Sequence, residues 1–315
     1  MSFRKAYTYL LLAVDSVHID DGESRLGVVD NSIIRDPSDW LPKIPGTSLH
    51  GVIRHNSASY AATHIDRKYL RCAGQIKSNH ENHSKCPICW TFGHPPDSDN
   101  HETGHVGRVS IYDALILFFP VNTMYGLAYI TTPRLMEMAS MKITKPEPSI
   151  LKSLKVNQSK IKTPVNLGMM MFYNVEICEL DEATKPVMSG MDDDFQKFFY
   201  EHLYIVDETS FVRIVNGNLD VRTSVPINPV TGIAAETGPF TLEAIPRGTI
   251  MGFDLIPDCD GFPADFDGND LSPHRWKSVL DVVETGLLLT EVKGVGGIST
   301  RGMGRLKWIN RETRL

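Results

Sequence analysis

The chain of 315 residues contains no apolar run long enough to cross a membrane, no low-complexity tract and no internal repeat, which excludes a spanning helix and a repeat array. It also lacks an excess of basic charge: 32 Lys and Arg stand against 38 Asp and Glu, for a formal net charge of −6. A protein that coats nucleic acid through bulk charge is basic, so nucleic-acid binding here has to rest on local patches. Nucleotide fingerprints are missing too. No Lys-Ser or Lys-Thr follows Gly297 or Gly302, so there is no Walker A loop, and no G-x-G-x-x-G follows a strand in a βαβ setting. The opening MSFRKAYTYLLLAVDSVH has a short apolar run, but Asp15 breaks it and no small-residue cleavage site follows. It reads as a buried strand rather than a signal peptide, and the expected location is the cytoplasm.

The composition that is present, 42% hydrophobic and 22% charged, is globular and sufficient for one decorated domain or two smaller ones. Residues 6–14 (AYTYLLLAV) predict a central strand covered on both faces. TSLHGVIRHNSASY places Leu49, Val52, Ile53 and Tyr60 at helical spacing, with Thr47 or Ser48 as N-cap. Residues 107–119 predict one or two strands. Ser272 as N-cap and Pro273 at the first helical position predict a helix start, followed by an apolar stripe of Trp276, Val279, Leu280, Val283 and Leu287. A glycine loop and a final strand, GRLKWI, come next. The chain ends therefore read strand–helix and helix–loop–strand. This order suits an α+β, RRM-like (ferredoxin-like) sandwich with excursions near 62–106, 120–170 and 215–250.

Residues 72–105 hold three of the five cysteines, Cys72, Cys86 and Cys89, with His80, His83, His94, His101 and His105. Cys-x-x-Cys around a proline is a tight knuckle whose two sulfurs can address one Zn²⁺. Cys72 and His83 complete a tetrahedral set, with His80 as the alternative fourth ligand. A redox pair and unligated cysteines are the other readings. A catalytic zinc needs an open position and a nearby acid; Glu81 and Glu102 are available, but no His-Glu-x-x-His pattern presents them. The expected role is structural, stapling an insertion too small for its own core.

Two loops are suited to phosphate. IPGTSLHGVIR runs a Pro-Gly turn into a helix start, where free N–H groups and the dipole favour an anion, with Arg54 two turns in. GVGGISTRGMGRLKW, residues 294–308, has five glycines in its first eleven positions around Ser299, Thr300 and Arg301. Such density implies a backbone that comes very close to something. Basic residues cluster here (Lys293, Arg301, Arg305, Lys307, Arg311 and Arg314, against Glu312) and again over 139–163 (Lys142, Lys145, Lys152, Lys155, Lys160 and Lys162, against Glu147). Two phosphate-suited loops without a nucleotide pocket point to a polymer backbone. In the front loop, Asp30 follows an apolar pair in LGVVDN. A carboxylate held there can bind Mg²⁺ or position a nucleophile beside a phosphate, although a turn-forming aspartate with Asn31 is the plainer reading.

Taken together, VVDNSIIRD, IPGTSLHGVIR, CPICWTFG, GRVSIYDALILFFPV, VRTSVPINPVTGIAAETGPFTLEAIPRGT and GGISTRGMGRL resemble, in order, the RAMP-superfamily backbone subunits of type III CRISPR effector complexes. LILFFPV leans to the Cmr kind and the zinc-type knuckle to the Csm kind. The resemblance implies a single RAMP domain: an RRM-like palm carrying a zinc-stapled insertion (62–106), a basic segment (120–170) and a thumb hairpin (215–250). Copies would stack in a helical filament along CRISPR RNA with other Csm/Cmr-type subunits. Guide phosphates would be gripped by Ser48, Arg54, Gly296, Gly297, Thr300 and Arg301. Asp30 would be the catalytic residue of a divalent-metal-dependent (Mg²⁺ or similar) endoribonuclease that cuts target RNA, orienting the 2′-hydroxyl. His50 stands where the family often has lysine, which removes a fixed charge. The competing readings are a non-cleaving guide scaffold, a stand-alone precursor-RNA endonuclease using His18 or His50, and a zinc hydrolase built on 72–105.

Overall fold

The computed structural model describes residues 5–22, 29–73, 85–96, 104–145, 154–156, 163–186, 188, 190–234, 238–258, 262 and 276–314. In chain order the elements that position the site are β1 (Ala6–Ala13), α1 (Gly46–His64), α2 (Pro87–Phe92), β2 (Ala114–Thr123), β3 (Gly126–Thr131), β4 (Leu203–Ile205), α3 (Glu208–Gly217), β5 (Asp220–Ser224), β6 (Phe240–Ala244), β7 (Ile250–Pro257), α4 (Val279–Leu288) and β8 (Leu306–Arg314). The fold is mixed α/β, as expected from the sequence.

β1 is apolar along its length because it is interior in both directions. It pairs antiparallel with β7 on one side and with β8 on the other, while Tyr9, Leu10 and Leu11 are fully buried. β7 in turn pairs antiparallel with β2, so the four central strands run β2-β7-β1-β8. β3, β4 and the short strands Leu154–Val156 and Val175–Ile177 prolong the sheet beyond β2, and two further short strands, Lys43–Ile44 on β2 and Val109–Ile111 on β7, bring it to ten. β5 and β6 form a separate two-stranded sheet, in register from Asp220↔Ala244 to Ser224↔Phe240. Lys152, Lys160, Lys162 and Glu147 of the basic segment lie outside the described residues.

Both predicted helices form, but their starts differ from the sequence expectation. α1 has Pro45 as N-cap, with Thr47 and Ser48 already inside the first turn. Its N-terminus is satisfied from a distance: Gly46 N–H donates to Asp113 Oδ1 at 2.8 Å. α4 begins at Val279 behind a capping box, in which Ser278 Oγ accepts from Asp281 N–H and Asp281 Oδ2 accepts from Ser278 N–H. Ser272 and Pro273 lie outside the described residues.

α1 and α4 cross at very short range. Asn56 Nδ2 donates to Gly286 O at 3.1 Å and Ser57 Oγ to Val282 O at 2.8 Å, so the buried polar groups of α1 are satisfied by α4 carbonyls. A Cβ on Gly286 would run into Ile53 O and Ser57 Oγ. Gly286→Ala is therefore expected to lower stability by about 1–3 kcal/mol through overpacking, read as a lower denaturation midpoint; an unchanged midpoint would show that the crossing relaxes freely.

Candidate functional site

The chain leaving β1 gathers the pieces of the site. Ala13 N–H donates to Thr249 O at 2.9 Å, and Val17 exchanges backbone hydrogen bonds with Ile245 at 2.8 and 2.9 Å. Ser16 O accepts from Gly304 N–H at 3.0 Å and His18 O from Gly297 N–H at 2.9 Å. The His18 ring is buried, with Nδ1 at 2.6 Å from Glu243 O. A carbonyl only accepts, so Nδ1 carries the hydrogen.

Asp30 is exposed, on a bend beside β6 near the loop end of the β5/β6 hairpin. Its neighbour Asn31 is bridged to β6: Asn31 N–H donates to Thr241 O at 3.1 Å and Glu243 N–H to Asn31 O at 3.0 Å. The Asp30 carboxylate accepts through Oδ2 from Thr241 N–H at 2.7 Å and from Thr241 Oγ1 at 2.9 Å, while Asp30 N–H donates back to Thr241 Oγ1 at 3.0 Å. Among the described residues no protein donor reaches Oδ1. The Thr241 amide and hydroxyl hold the carboxyl below the usual aspartate range, so it is ionised at neutral pH. Behind it lies a nearly buried ion pair, Arg35 Nη2 to Glu243 Oε1 at 2.6 Å. Arg35 also donates to Asn216 of α3 and to Trp40 O. Breaking one partner of such a pair costs about 3–5 kcal/mol, so the front loop is firmly tied to β6. Thr241, Glu243 and Arg35 carried no sequence signal of their own; only pairing across the fold identifies them.

The glycine loop has two uses for its glycines. Gly294, Gly296, Gly302 and Gly304 have positive φ, from 77° to 93°. At Gly296 a Cβ would strike His18 O, and at Gly304 it would strike Val295 O. There the closely approached partner is the chain itself. Gly302 faces open space, and Thr300 and Arg301 are exposed on one 3-10 turn, Ser299–Arg301. Ile298, before that turn, is left-handed at φ 61°. Two members of the C-terminal basic group are already paired, Arg305 with Asp15 at 2.5 Å and Arg311 with Glu284.

The α1 residues divide. Ser48 is half-buried, its N–H donating to Pro45 O at 2.9 Å. Arg54 turns to the cysteines, donating from Nε to Cys72 O at 2.7 Å. His50 packs edge-on to Phe92 at 5.2 Å, and burial, with the Arg54 charge, pushes its pKa down. It therefore brings no positive charge to the helix start at neutral pH.

Cys72, at the end of a 3-10 turn, meets Cys86 and Cys89, which stand at the N-cap and third position of α2. All three sulfurs are buried and lie within 4.8 Å of one another, with Cys72 and Cys86 Sγ 3.6 Å apart. A tetrahedral zinc with Zn–S bonds of about 2.3 Å separates its sulfurs by about 3.8 Å, so the trio fits three corners of such a site. The crowded Cys86 and Cys89 thiols, together with burial, push the Cys72 pKa up. A bound dication reverses that preference by favouring thiolates. His80, His83 and His101, with Glu81 and Glu102, lie outside the described residues. His105 stacks on Trp90 at 4.9 Å and near His94 at 6.0 Å, away from the described sulfur trio.

A family model described as the RAMP superfamily matches residues 11–307. The CRISPR system Cmr endoribonuclease Cmr4 of Pyrococcus furiosus is 27% identical over 260 residues, spanning 78% of this chain and 80% of the relative. The CRISPR system Cms endoribonuclease Csm3 of Methanothermobacter thermautotrophicus is 36% identical over 104 residues, 32% of this chain and 38% of the relative. Among solved structures, a chain of the type III-B Cmr-beta complex in its apo state superposes with a TM-score of 0.61 at 14% identity, over 97% of both chains. Oligomeric Cmr4 from Pyrococcus furiosus superposes with a TM-score of 0.54 at 19% identity, over 99% of both. At these identities the structural likeness speaks for the fold.

Elemental analysis of the purified protein is expected to find about one zinc per chain, and Cys89→Ser to lower both the zinc content and the melting temperature. Full stability in a zinc-free preparation would show that the thiols pack without an ion.

Proposed function

Because the chain belongs to the RAMP superfamily, we propose that it is a backbone subunit of a type III CRISPR effector complex that lies along a guide RNA and cuts the complementary target RNA. The observation that carries this reading is the ionised, exposed carboxylate of Asp30 hydrogen-bonded to β6 of the β5/β6 hairpin. An endoribonuclease whose hairpin positions the target needs its acidic group tied to that hairpin. The endoribonuclease names of its relatives support the same activity.

In this reading the antiparallel β2-β7-β1-β8 strands with α1 and α4 are an RRM-like palm within one RAMP domain. The segments 62–106, 120–170 and 215–250 are its zinc-stapled, basic and thumb insertions. The thumb is the β5/β6 hairpin, whose loop exposes Val225, Ile227, Val230 and Ile233, apolar side chains suited to wedging between stacked bases. Guide phosphates lie along Ser48, Arg54, Gly296, Gly297, Thr300 and Arg301. Exposed Thr300 and Arg301 beside the open Gly302 support that grip most directly. It tracks a backbone without reading bases, as a subunit requires when base pairing supplies specificity. Copies of the chain and other Csm/Cmr-type subunits are the protein partners, and the cytoplasm is the expected place of action. No described helix is long and apolar enough to cross a membrane.

The Asp30 carboxylate orients the target 2′-hydroxyl for attack on the adjacent phosphate. Among the described residues Oδ1 of Asp30 has no protein donor, so this carboxylate could hold a hard cation such as Mg²⁺, which would supply neutralisation of the charge developing on the phosphate. Zinc at Cys72, Cys86 and Cys89, with His83 or His80 as fourth ligand, has the structural role. The ring of His18 is buried and therefore poorly placed to reach an RNA strand as the base of a stand-alone nuclease.

Purification from the host with bound RNA is expected to yield short guides sharing a repeat-derived end. Asp30→Ala should retain those guides and lose target cleavage by about 100-fold or more; unimpaired cleavage would leave a scaffold role only. Chelation of Mg²⁺ should stop cleavage by the assembled complex, and added Mg²⁺ should restore it.

A further inference from the structure

We propose that Thr241 is the positioning residue of this site, locking the Asp30 carboxylate to β6 near the loop end of the β5/β6 hairpin so that hairpin and carboxylate meet the target as one body. The inference rests on the cleavage reading above. Asp30 is exposed, so packing does not fix its side chain. The bridge between Asn31 and β6 fixes the adjoining backbone but leaves the Asp30 side-chain torsions free. Those torsions are set by Thr241 alone among the described residues, through three hydrogen bonds. Its amide and its hydroxyl both donate to Oδ2, and the same hydroxyl accepts from Asp30 N–H.

Each bond constrains something different. The amide donor belongs to β6 and moves only with the hairpin. The hydroxyl accepts from the Asp30 backbone and donates to its carboxylate, closing a ring that admits one orientation of the side chain. The β-branch of threonine narrows the rotamers from which that hydroxyl can act. Both donors are spent on Oδ2, so Oδ1 keeps its lone pairs for the substrate.

The test uses the complete guide-bound complex and single-turnover cleavage at saturating target. Thr241→Val keeps the shape and the amide donor but removes the hydroxyl. It should slow cleavage about 10- to 100-fold while target affinity and the quantity of bound guide stay unchanged. Thr241→Ser returns the hydroxyl and should recover most of the rate. Wild-type cleavage by Thr241→Val would overturn the inference, as would a Thr241→Ser variant as slow as Thr241→Val. Loss of guide or of assembly in Thr241→Val would assign the residue to folding instead. Asp30→Ala, run in parallel, separates the two levels. If Asp30→Ala is silent and Thr241→Val is fast, only the positioning role fails. If Asp30→Ala cleaves normally, the cleavage reading itself fails.

Discussion

Two contacts at His18 hold the working corner of the molecule together. Its carbonyl accepts from the glycine loop at Gly297 and its ring donates to β6 at Glu243. The glycine loop follows α4 and β6 belongs to the separate two-stranded hairpin, and His18 joins the two directly. Burial strengthens the constraint, because a buried imidazole N–H that lost its carbonyl would find no water to replace it. The same stretch takes Gly304 at Ser16 and Ile245 at Val17. One extended segment thus sets the spacing between an anion-suited loop and an exposed carboxylate.

Electrostatics at this corner is local, in keeping with an acidic chain. The ion pairs Arg305–Asp15 and Arg311–Glu284 consume charge that a reading of the sequence alone would assign to a ligand. Arg54 lies beside the cysteines, where its charge favours thiolates, and its Nε is engaged by Cys72 O. What is left exposed, Arg301 above all, is a small basic feature rather than a basic face. Such a distribution suits a ligand followed at a few points along its length better than one gripped by bulk attraction.

Legibility in the sequence followed the range of the interaction. The apolar run of β1, the stripe of α4 and the Cys-x-x-Cys knuckle are local patterns, and each corresponds to a structural element. Asp30 stood out because a carboxylate after two valines is unusual. Thr241, which holds it, lies 211 residues away and looks like any threonine in a strand. The cap of α1 is hidden from local sequence for the same reason: Asp113, 67 residues on, does the work that Thr47 or Ser48 would do locally. At α4 the signal, Ser278 with Asp281, is local and present in the sequence. The glycine loop was legible as a close approach, and only the fold could show that part of the approach is to His18.

Ile298 carries a consequence for affinity. A β-branched residue in the left-handed region is disfavoured by about 1–2 kcal/mol, yet here it is held between the Gly297–His18 bond and the 3-10 turn that begins at its own carbonyl. That cost falls on folding. Under the proposed function, a phosphate strand arriving at the loop would meet amides and hydroxyls whose arrangement does not have to be created by binding, so little ordering entropy would be subtracted from the contact energy. A short loop with one exposed arginine can then grip more firmly than its charge suggests. Replacing Ile298 with glycine would relax the fold locally while loosening the preorganisation on which the proposed grip would depend.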